Sequence, residues 1–125
     1  MKKHNEAFLS LVAEAKKSIQ ELSVQDVAAR LKANPKSFIL VDVREDSEWS
    51  EGYITGAIHM GKGVIERDIE SEIPEKSREI ILYCGGGFRS ALAAEALQKM
   101  GYQKVWSMDG GWRGWCEAQL PTTRP

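Results

Sequence analysis

The chain has 125 residues, of which 42% are hydrophobic and 28% charged, and its formal net charge at pH 7 is −1. This length suits one compact domain and is too short for two comfortable ones. The near-neutral charge argues against a basic surface for nucleic acid or an anionic membrane, and no apolar stretch approaches the roughly 20 residues of a membrane span.

The amino terminus begins with two lysines, as a secretion signal does, but Glu6, Ser10 and Glu14 interrupt its apolar residues. A signal needs a continuous apolar core, so we expect this segment to belong to the mature protein and the compartment to be the cytoplasm. The two cysteines form no CxxC pair, and the two histidines are isolated, so we expect neither a metal site nor a cofactor. A Cys84–Cys116 disulfide is disfavoured by a reducing compartment.

Residues 5–21 are predicted to form one helix. Its apolar stripe comprises Phe8, Val12, Ala15 and Ile19. The stripe is most simply a packing face, although a dimer or partner surface is an open alternative, and the sequence leaves the oligomeric state undecided. We therefore divide the chain into a helical extension packed on the domain (1–22), the domain itself (23–120) and a flexible tail (121–125).

The remaining elements alternate between strands and helices. Ser23 and Asp26 have the spacing of a capping box and open a helix that Asn34-Pro35 stops. The apolar run at 38–43 predicts a strand covered on both faces. Further predicted elements are strands at 57–60, 79–83 and 104–107, a helical turn at 62–70, a helix from Arg89 or Ser90 to a cap at Gly101, and a last helix turn with Cys116. This order predicts an α/β fold with a central, largely parallel sheet flanked by helices in three layers.

The stretch YCGGGFRS, at 83–90, lies where the third strand meets the following helix. Ligands of open α/β sheets bind beyond the carboxyl ends of the strands, and a helix start is electropositive. Glycines let successive backbone amides turn toward an anion. The stretch therefore predicts a small anion site beside Cys84, whereas the alternative is a cysteine that only packs in the core.

These residues resemble the single-domain members of the rhodanese-like sulfurtransferase family. The loop matches that family's Cys-x-x-Gly-x-Arg-Ser pattern, while Asp42–Glu45 with Glu48-Trp49, Gly52–His59 and Met108–Trp112 resemble its other signatures. The resemblance covers roughly residues 23–120. It implies a rhodanese-like domain in which Cys84 takes the outer sulfur of a small anionic donor, such as thiosulfate or a persulfide. The resulting cysteine persulfide would pass that sulfur to a thiol, cyanide or a sulfur-relay protein.

Within this resemblance, Cys84 is the nucleophile, and the substrate-binding loop comprises Gly85, Gly86, Gly87, Phe88, Arg89 and Ser90. Arg89 either contacts substrate or braces the loop by pairing with a carboxylate. Phe88 either lines the pocket mouth or packs beneath it. Asp42 and Arg44 are expected to support the loop from behind, with Arg44 pairing with Glu48.

Two other functions compete with sulfur transfer. One is a non-catalytic interaction module on the same fold, although such modules often lack the cysteine that is present here. The other is a cysteine phosphatase or arsenate reductase. Related phosphatases use a Cys-x5-Arg loop, whereas four residues separate Cys84 and Arg89. The loop here therefore encloses a narrower space than the phosphatase loop does.

Overall fold

The computed structural model describes residues 4–125. Its elements, in chain order, are α1 (Glu6–Lys16), β1 (Gln20–Leu22), α2 (Val24–Ala33), β2 (Ile39–Asp42), α3 (Asp46–Glu51), β3 (Tyr53–Ile54), β4 (Ile58–His59), α4 (Lys62–Glu72), β5 (Glu79–Tyr83), α5 (Phe88–Lys99), β6 (Lys104–Met108), α6 (Gly111–Glu117) and β7 (Thr122–Thr123). Among these residues, no helix has the length and apolar character that crossing a membrane requires.

Five parallel strands form the central sheet, in the order β1-β6-β5-β2-β4. Side chains of β5 alternate between its faces: Ile80 and Leu82 join a core with α4 and α5, whereas Ile81 and Tyr83 join a core with α2 and α6. The predicted three-layer α/β fold is confirmed. Because β5 is the middle strand and is buried on both faces, its carboxyl end is a rigid support for Cys84.

The prediction of a helix over 5–21 is wrong at its end. The helix stops at Lys16, a turn follows in which the Ser18 N–H and hydroxyl both donate to the Ala15 carbonyl, and Gln20–Leu22 then forms an edge strand on β6. A three-residue strand carries no periodic signal of its own. Its conformation comes from hydrogen bonds to a strand far away in the sequence.

The carboxyl-terminal segment also differs from the flexible tail predicted over 121–125. Thr122–Thr123 pairs antiparallel with Tyr53–Ile54, and the hydroxyls of Thr55 and Thr123 lie 2.9 Å apart. The Trp115 indole N–H donates to the Pro121 carbonyl at 2.9 Å, which holds the start of the segment against α6.

Of the remaining elements, α2 and α4 agree with the sequence patterns, whereas α3 does not. The Ser23 hydroxyl accepts from the Asp26 N–H at 3.0 Å, and the Asp26 carboxylate accepts from the Ser23 N–H at 3.3 Å, so the predicted capping box is confirmed. The 62–70 turn is a full helix through Glu72. The six-residue helix α3 was not predicted, because it has no apolar stripe and contains no buried residue.

Candidate active site

Cys84 follows β5 directly and lies at the bottom of a cleft with a volume of about 780 Å³. Its Sγ accepts hydrogen bonds from the backbone N–H of Gly87 at 3.2 Å and of Ser90 at 3.3 Å. The residue is only 1% exposed. The loop thus curls around the sulfur, with the first turn of α5 directed at it.

Two buried hydroxyls extend this contact inward. Ser90 Oγ lies 3.5 Å from Cys84 Sγ and 2.8 Å from Ser107 Oγ, and both serines are fully buried. Ser107 belongs to β6, the strand beside β5. A hydroxyl can rotate to donate or accept, so this pair can stabilise either a thiol or a thiolate.

The three loop glycines have different surroundings. Gly87 has a φ of +106° and is the amino-terminal cap of α5, a conformation that favours glycine. A Cβ on Gly85 would lie 3.1 Å from Nη2 of Arg89, and a Cβ on Gly86 would lie 3.0 Å from Nη2 of Arg113. The first two glycines therefore leave room for two guanidinium groups above the loop.

Arg89 lines the cleft and pairs with a carboxylate, the contact that one of the two alternatives left open by the sequence requires. Its Nη1 and Nη2 donate to the two carboxylate oxygens of Glu48 at 2.7 and 3.1 Å. These hydrogen bonds lower the pKa of Glu48 to about 2 and raise the pKa of Arg89. The expected pairing of Arg44 with Glu48 is wrong, because Glu48 on α3 faces Arg89.

Arg44 instead pairs with Asp42, two residues earlier. Arg44 Nη2 donates to Asp42 Oδ2 and to the Gly52 carbonyl, both at 2.7 Å, and its Nε donates to both Asp42 oxygens. The guanidinium also lies 4.5 Å from the ring centre of Trp112. Asp42 is 0% exposed and Arg44 3%, so the pair is sealed behind the loop.

Tyr83 and His59 tie this buried pair to its surroundings. The Tyr83 hydroxyl accepts from the Ile54 N–H at 3.1 Å, and burial raises the pKa of Tyr83. His59 Nε2 lies 2.8 Å from the Arg44 carbonyl oxygen, and its ring stacks on Trp49. These contacts are those of a packed side chain.

The start of α6 clamps the loop, a contact that the sequence analysis missed. The N–H of Trp112 donates to the Cys84 carbonyl at 2.7 Å, and the N–H of Arg113 donates to the Gly85 carbonyl at 3.0 Å. Gly111 has a φ of +55°, and a Cβ there would collide with the Cys84 carbonyl oxygen and lie 2.8 Å from the Gly85 carbonyl carbon. The Gly-Gly pair at 110–111 is the sequence signal that could have revealed this close approach.

Helix α1 contributes to the cleft mouth. The His4 ring makes an edge contact with Phe88 at 4.8 Å and lies 5.2 Å from Phe8, while Phe8 and Phe88 are 6.2 Å apart. All three residues line the cleft, so Phe88 lies at its mouth rather than beneath it. Of the predicted α1 stripe, Val12 and Ala15 are buried, which is the packing alternative.

Of the predicted site residues, the structure brings Cys84, Gly85, Gly86, Phe88 and Arg89 to the cleft, whereas Gly87 and Ser90 are buried and Asp42 and Arg44 lie behind the loop. Cys116 is exposed, and partial desolvation raises the pKa of its thiol. Within residues 4–125, no group of three or more histidine, cysteine or acidic side chains is arranged to hold a metal ion.

Comparison with known proteins identifies a matching family and relatives of this chain. The Rhodanese-like domain family matches residues 23–118. A sulfurtransferase from Allochromatium vinosum is 33% identical over 107 residues, covering 86% of this chain and 97% of that protein. The thiosulfate sulfurtransferase GlpE of Tolumonas auensis is 33% identical over 97 residues, covering 75% of this chain and 85% of the relative.

Among solved structures, a Rhodopseudomonas palustris protein of unknown function, described as a possible tyrosine phosphatase, has a TM-score of 0.82 at 28% identity. The similarity covers 98% of both chains, so it extends beyond the residues that the family matches.

Proposed function

The chain belongs to the rhodanese-like domain family, and from that premise we propose that it is a sulfurtransferase whose Cys84 carries the transferred sulfur. The donor would be a small anion such as thiosulfate, and the acceptor a thiol, cyanide or a sulfur-relay protein. One observation carries the proposal: two backbone N–H groups converge on Cys84 Sγ at the bottom of an open cleft.

In the first step, the Cys84 thiolate attacks the outer sulfur of thiosulfate. A new S–S bond forms, the donor's own S–S bond breaks, and sulfite leaves with the bonding electron pair. Cys84 is left as a persulfide anion, and total charge is conserved because the thiolate and thiosulfate together carry the same charge as the persulfide and sulfite.

In the second step, an acceptor thiolate or cyanide attacks the terminal sulfur of the persulfide. The Cys84 S–S bond breaks, the thiolate is regenerated, and the acceptor leaves as a persulfide or thiocyanate. The cycle consumes no oxidant or reductant and requires no cofactor. It does need Cys84 as a free thiol, which fits the cytoplasmic location predicted from the sequence.

Stabilising the persulfide should matter more than activating the thiol. Lowering a thiol pKa by about two units raises the thiolate fraction roughly 25-fold, but lower nucleophilicity cancels all but about threefold of that gain. Charge-assisted hydrogen bonds contribute about 1.5–3 kcal/mol each. The amides of Gly87 and Ser90 already bond the sulfur, and those of Gly86 and Phe88 have no protein acceptor in the described part of the chain.

The competing functions fit this site less well. A phosphate carries three equatorial oxygens, and a loop of four residues between cysteine and arginine is narrower than the five-residue loop of cysteine phosphatases. Arg89, which would face such a phosphate, is instead held by Glu48. A non-catalytic module has no need for a cysteine whose sulfur contacts two backbone amides and a buried serine.

The test is the intact mass of the purified protein after incubation with thiosulfate, with Cys84→Ser treated in parallel. We expect one added sulfur on the parent protein, its absence from the variant, and its removal by cyanide. If neither thiosulfate nor glutathione persulfide adds sulfur, the transferase proposal is wrong. Phosphatase activity and partner binding would then be measured.

A further inference from the structure

We infer that Arg113 is the residue that binds the charged oxygens of the sulfur donor. The inference rests on the proposed function, because it assigns a residue that binds the donor in the same cleft. Arg113 lies outside the Cys84–Ser90 loop, on the first turn of α6.

The backbone of Arg113 is held against the loop, and its side chain extends over the loop. Its backbone N–H donates to the Gly85 carbonyl at 3.0 Å, one residue beyond Cys84. Its guanidinium extends over the next glycine, so that Nη2 would be 3.0 Å from a Cβ on Gly86. The side chain lines the same cleft as Cys84 and is exposed to solvent, where an incoming anion can reach it.

Arg113 is also the guanidinium at this site without a carboxylate partner among residues 4–125. Arg44 is committed to Asp42, and Arg89 is committed to Glu48 through two short hydrogen bonds. Salt bridges in the same part of the chain include none to Arg113. The remaining carboxylate of the cleft, Glu45, caps α3 rather than α6.

The chemistry of the donor fits a cleft in which Arg44 and Arg89 pair with carboxylates and Arg113 does not. Thiosulfate and organic thiosulfonates carry two or three oxygens on the sulfur next to the one that is transferred. When the outer sulfur meets Cys84 at the bottom of the cleft, those oxygens remain toward the opening. A guanidinium is planar and presents parallel N–H donors, so it binds such oxygens in a forked geometry.

Binding without turnover tests the inference directly. The Cys84→Ser protein is titrated with thiosulfate by calorimetry, and so is the same protein with Arg113→Gln added. We expect the added substitution to weaken binding roughly tenfold or more, and Arg113→Lys to restore part of the affinity. Equal affinity in the two proteins would overturn the inference.

Kinetics on the active protein supply the second readout. Arg113→Gln should raise KM for thiosulfate roughly tenfold or more, and raise KM for the singly charged methanethiosulfonate less, while kcat stays within about twofold. The matched control is Arg67→Gln, an exposed arginine on α4 that pairs with Asp68 and does not line the cleft. A fall in kcat alone, or an equal rise in KM in the control, would contradict the assignment.

The two tests separate this inference from the proposed function. If the parent protein acquires no sulfur but Arg113 still governs thiosulfate binding to the Cys84→Ser protein, the transferase proposal fails and the oxyanion site stands. If sulfur transfer occurs with unchanged KM and binding after Arg113→Gln, the transferase stands and the role of Arg113 is refuted.

Discussion

Two arginine–carboxylate pairs lie next to the Cys84–Ser90 loop, and they differ in burial and in how far apart their partners are in the sequence. Asp42 and Arg44 are neighbours on one strand end, and their side chains are 0% and 3% exposed. Glu48 and Arg89 come from distant helices, and their side chains are 36% and 31% exposed. One type of ion pair therefore stabilises the fold where it is buried and holds the position of a loop where it is half-exposed.

Burial decides which of these roles each pair has. The Asp42 carboxylate accepts from Nε and Nη2 of Arg44 and from the Arg44 N–H, so its desolvation is offset by hydrogen bonds at 2.7–3.1 Å. Removing one partner would leave the other charged and without water. The Glu48–Arg89 pair is partly solvated, so its loss costs little stability. Its value lies in where it holds Arg89.

The largest expected effect is on stability, from Asp42→Asn. This change leaves the buried Arg44 charge uncompensated, so the free energy of unfolding should fall by about 3–5 kcal/mol, measured by urea denaturation. The matched control is Glu70→Gln, which removes the partner of Lys76 in an ion pair on the surface. That control should lower stability by about 1 kcal/mol or less. Comparable losses of stability in Asp42→Asn and Glu70→Gln would mean that the buried Asp42–Arg44 pair stabilises the fold no more than a surface ion pair does.

The next effect is on activity, from Glu48→Gln. The free energy of unfolding should change by about 1 kcal/mol or less, while the rate of sulfur transfer should fall about tenfold because Arg89 and the loop lose their fixed position. Single-turnover loading of Cys84 by thiosulfate, followed by mass, measures the rate. Unaltered loading kinetics in this variant would mean that the pair does not position the loop.

The smallest effect is a pH dependence that belongs to the half-exposed pair. Because the hydrogen bonds from Arg89 lower the pKa of Glu48 to about 2, its stabilising contribution is present above pH 4.5 or so and is lost as pH falls toward 2. The partial exposure of both side chains keeps that contribution small. Denaturation of the parent protein and of Glu48→Gln should therefore give a stability difference that shrinks across this pH range, and a constant difference would contradict the pairing.

The sequence predicted the parts of the molecule that carry local signals. The buried strands β2 and β5 are apolar runs, α2 has a capping box, and the loop at 84–90 matches a family pattern, while the anion site inferred from its glycines stays a prediction. Local patterns were silent about β1, β7 and α3, because the first two are defined by pairing with distant strands and the third buries no residue.

The pairing of charged side chains likewise depends on contacts that local sequence patterns do not reveal. The sequence suggested that Arg44 pairs with Glu48, four residues away, but the turn after β2 sends Arg44 back to Asp42 and leaves Glu48 for Arg89. The roles of Gly111 and Arg113 depend on the approach of α6 to the loop. That approach follows from the packing of α6 against α2 and the sheet, and the Gly-Gly pair at 110–111 indicates a close contact without indicating its partner.

The clamp formed by α6 has a consequence for the newly made chain. Chains leave the ribosome amino terminus first, so Cys84 emerges before Gly111–Arg113, whose amides hold the Cys84 and Gly85 carbonyls, and before β6, which pairs with one side of β5. Until that stretch is synthesised, the Cys84 and Gly85 carbonyls lack the hydrogen bonds that hold the loop. The loop around Cys84 is therefore completed only after Gly111–Arg113 has been synthesised.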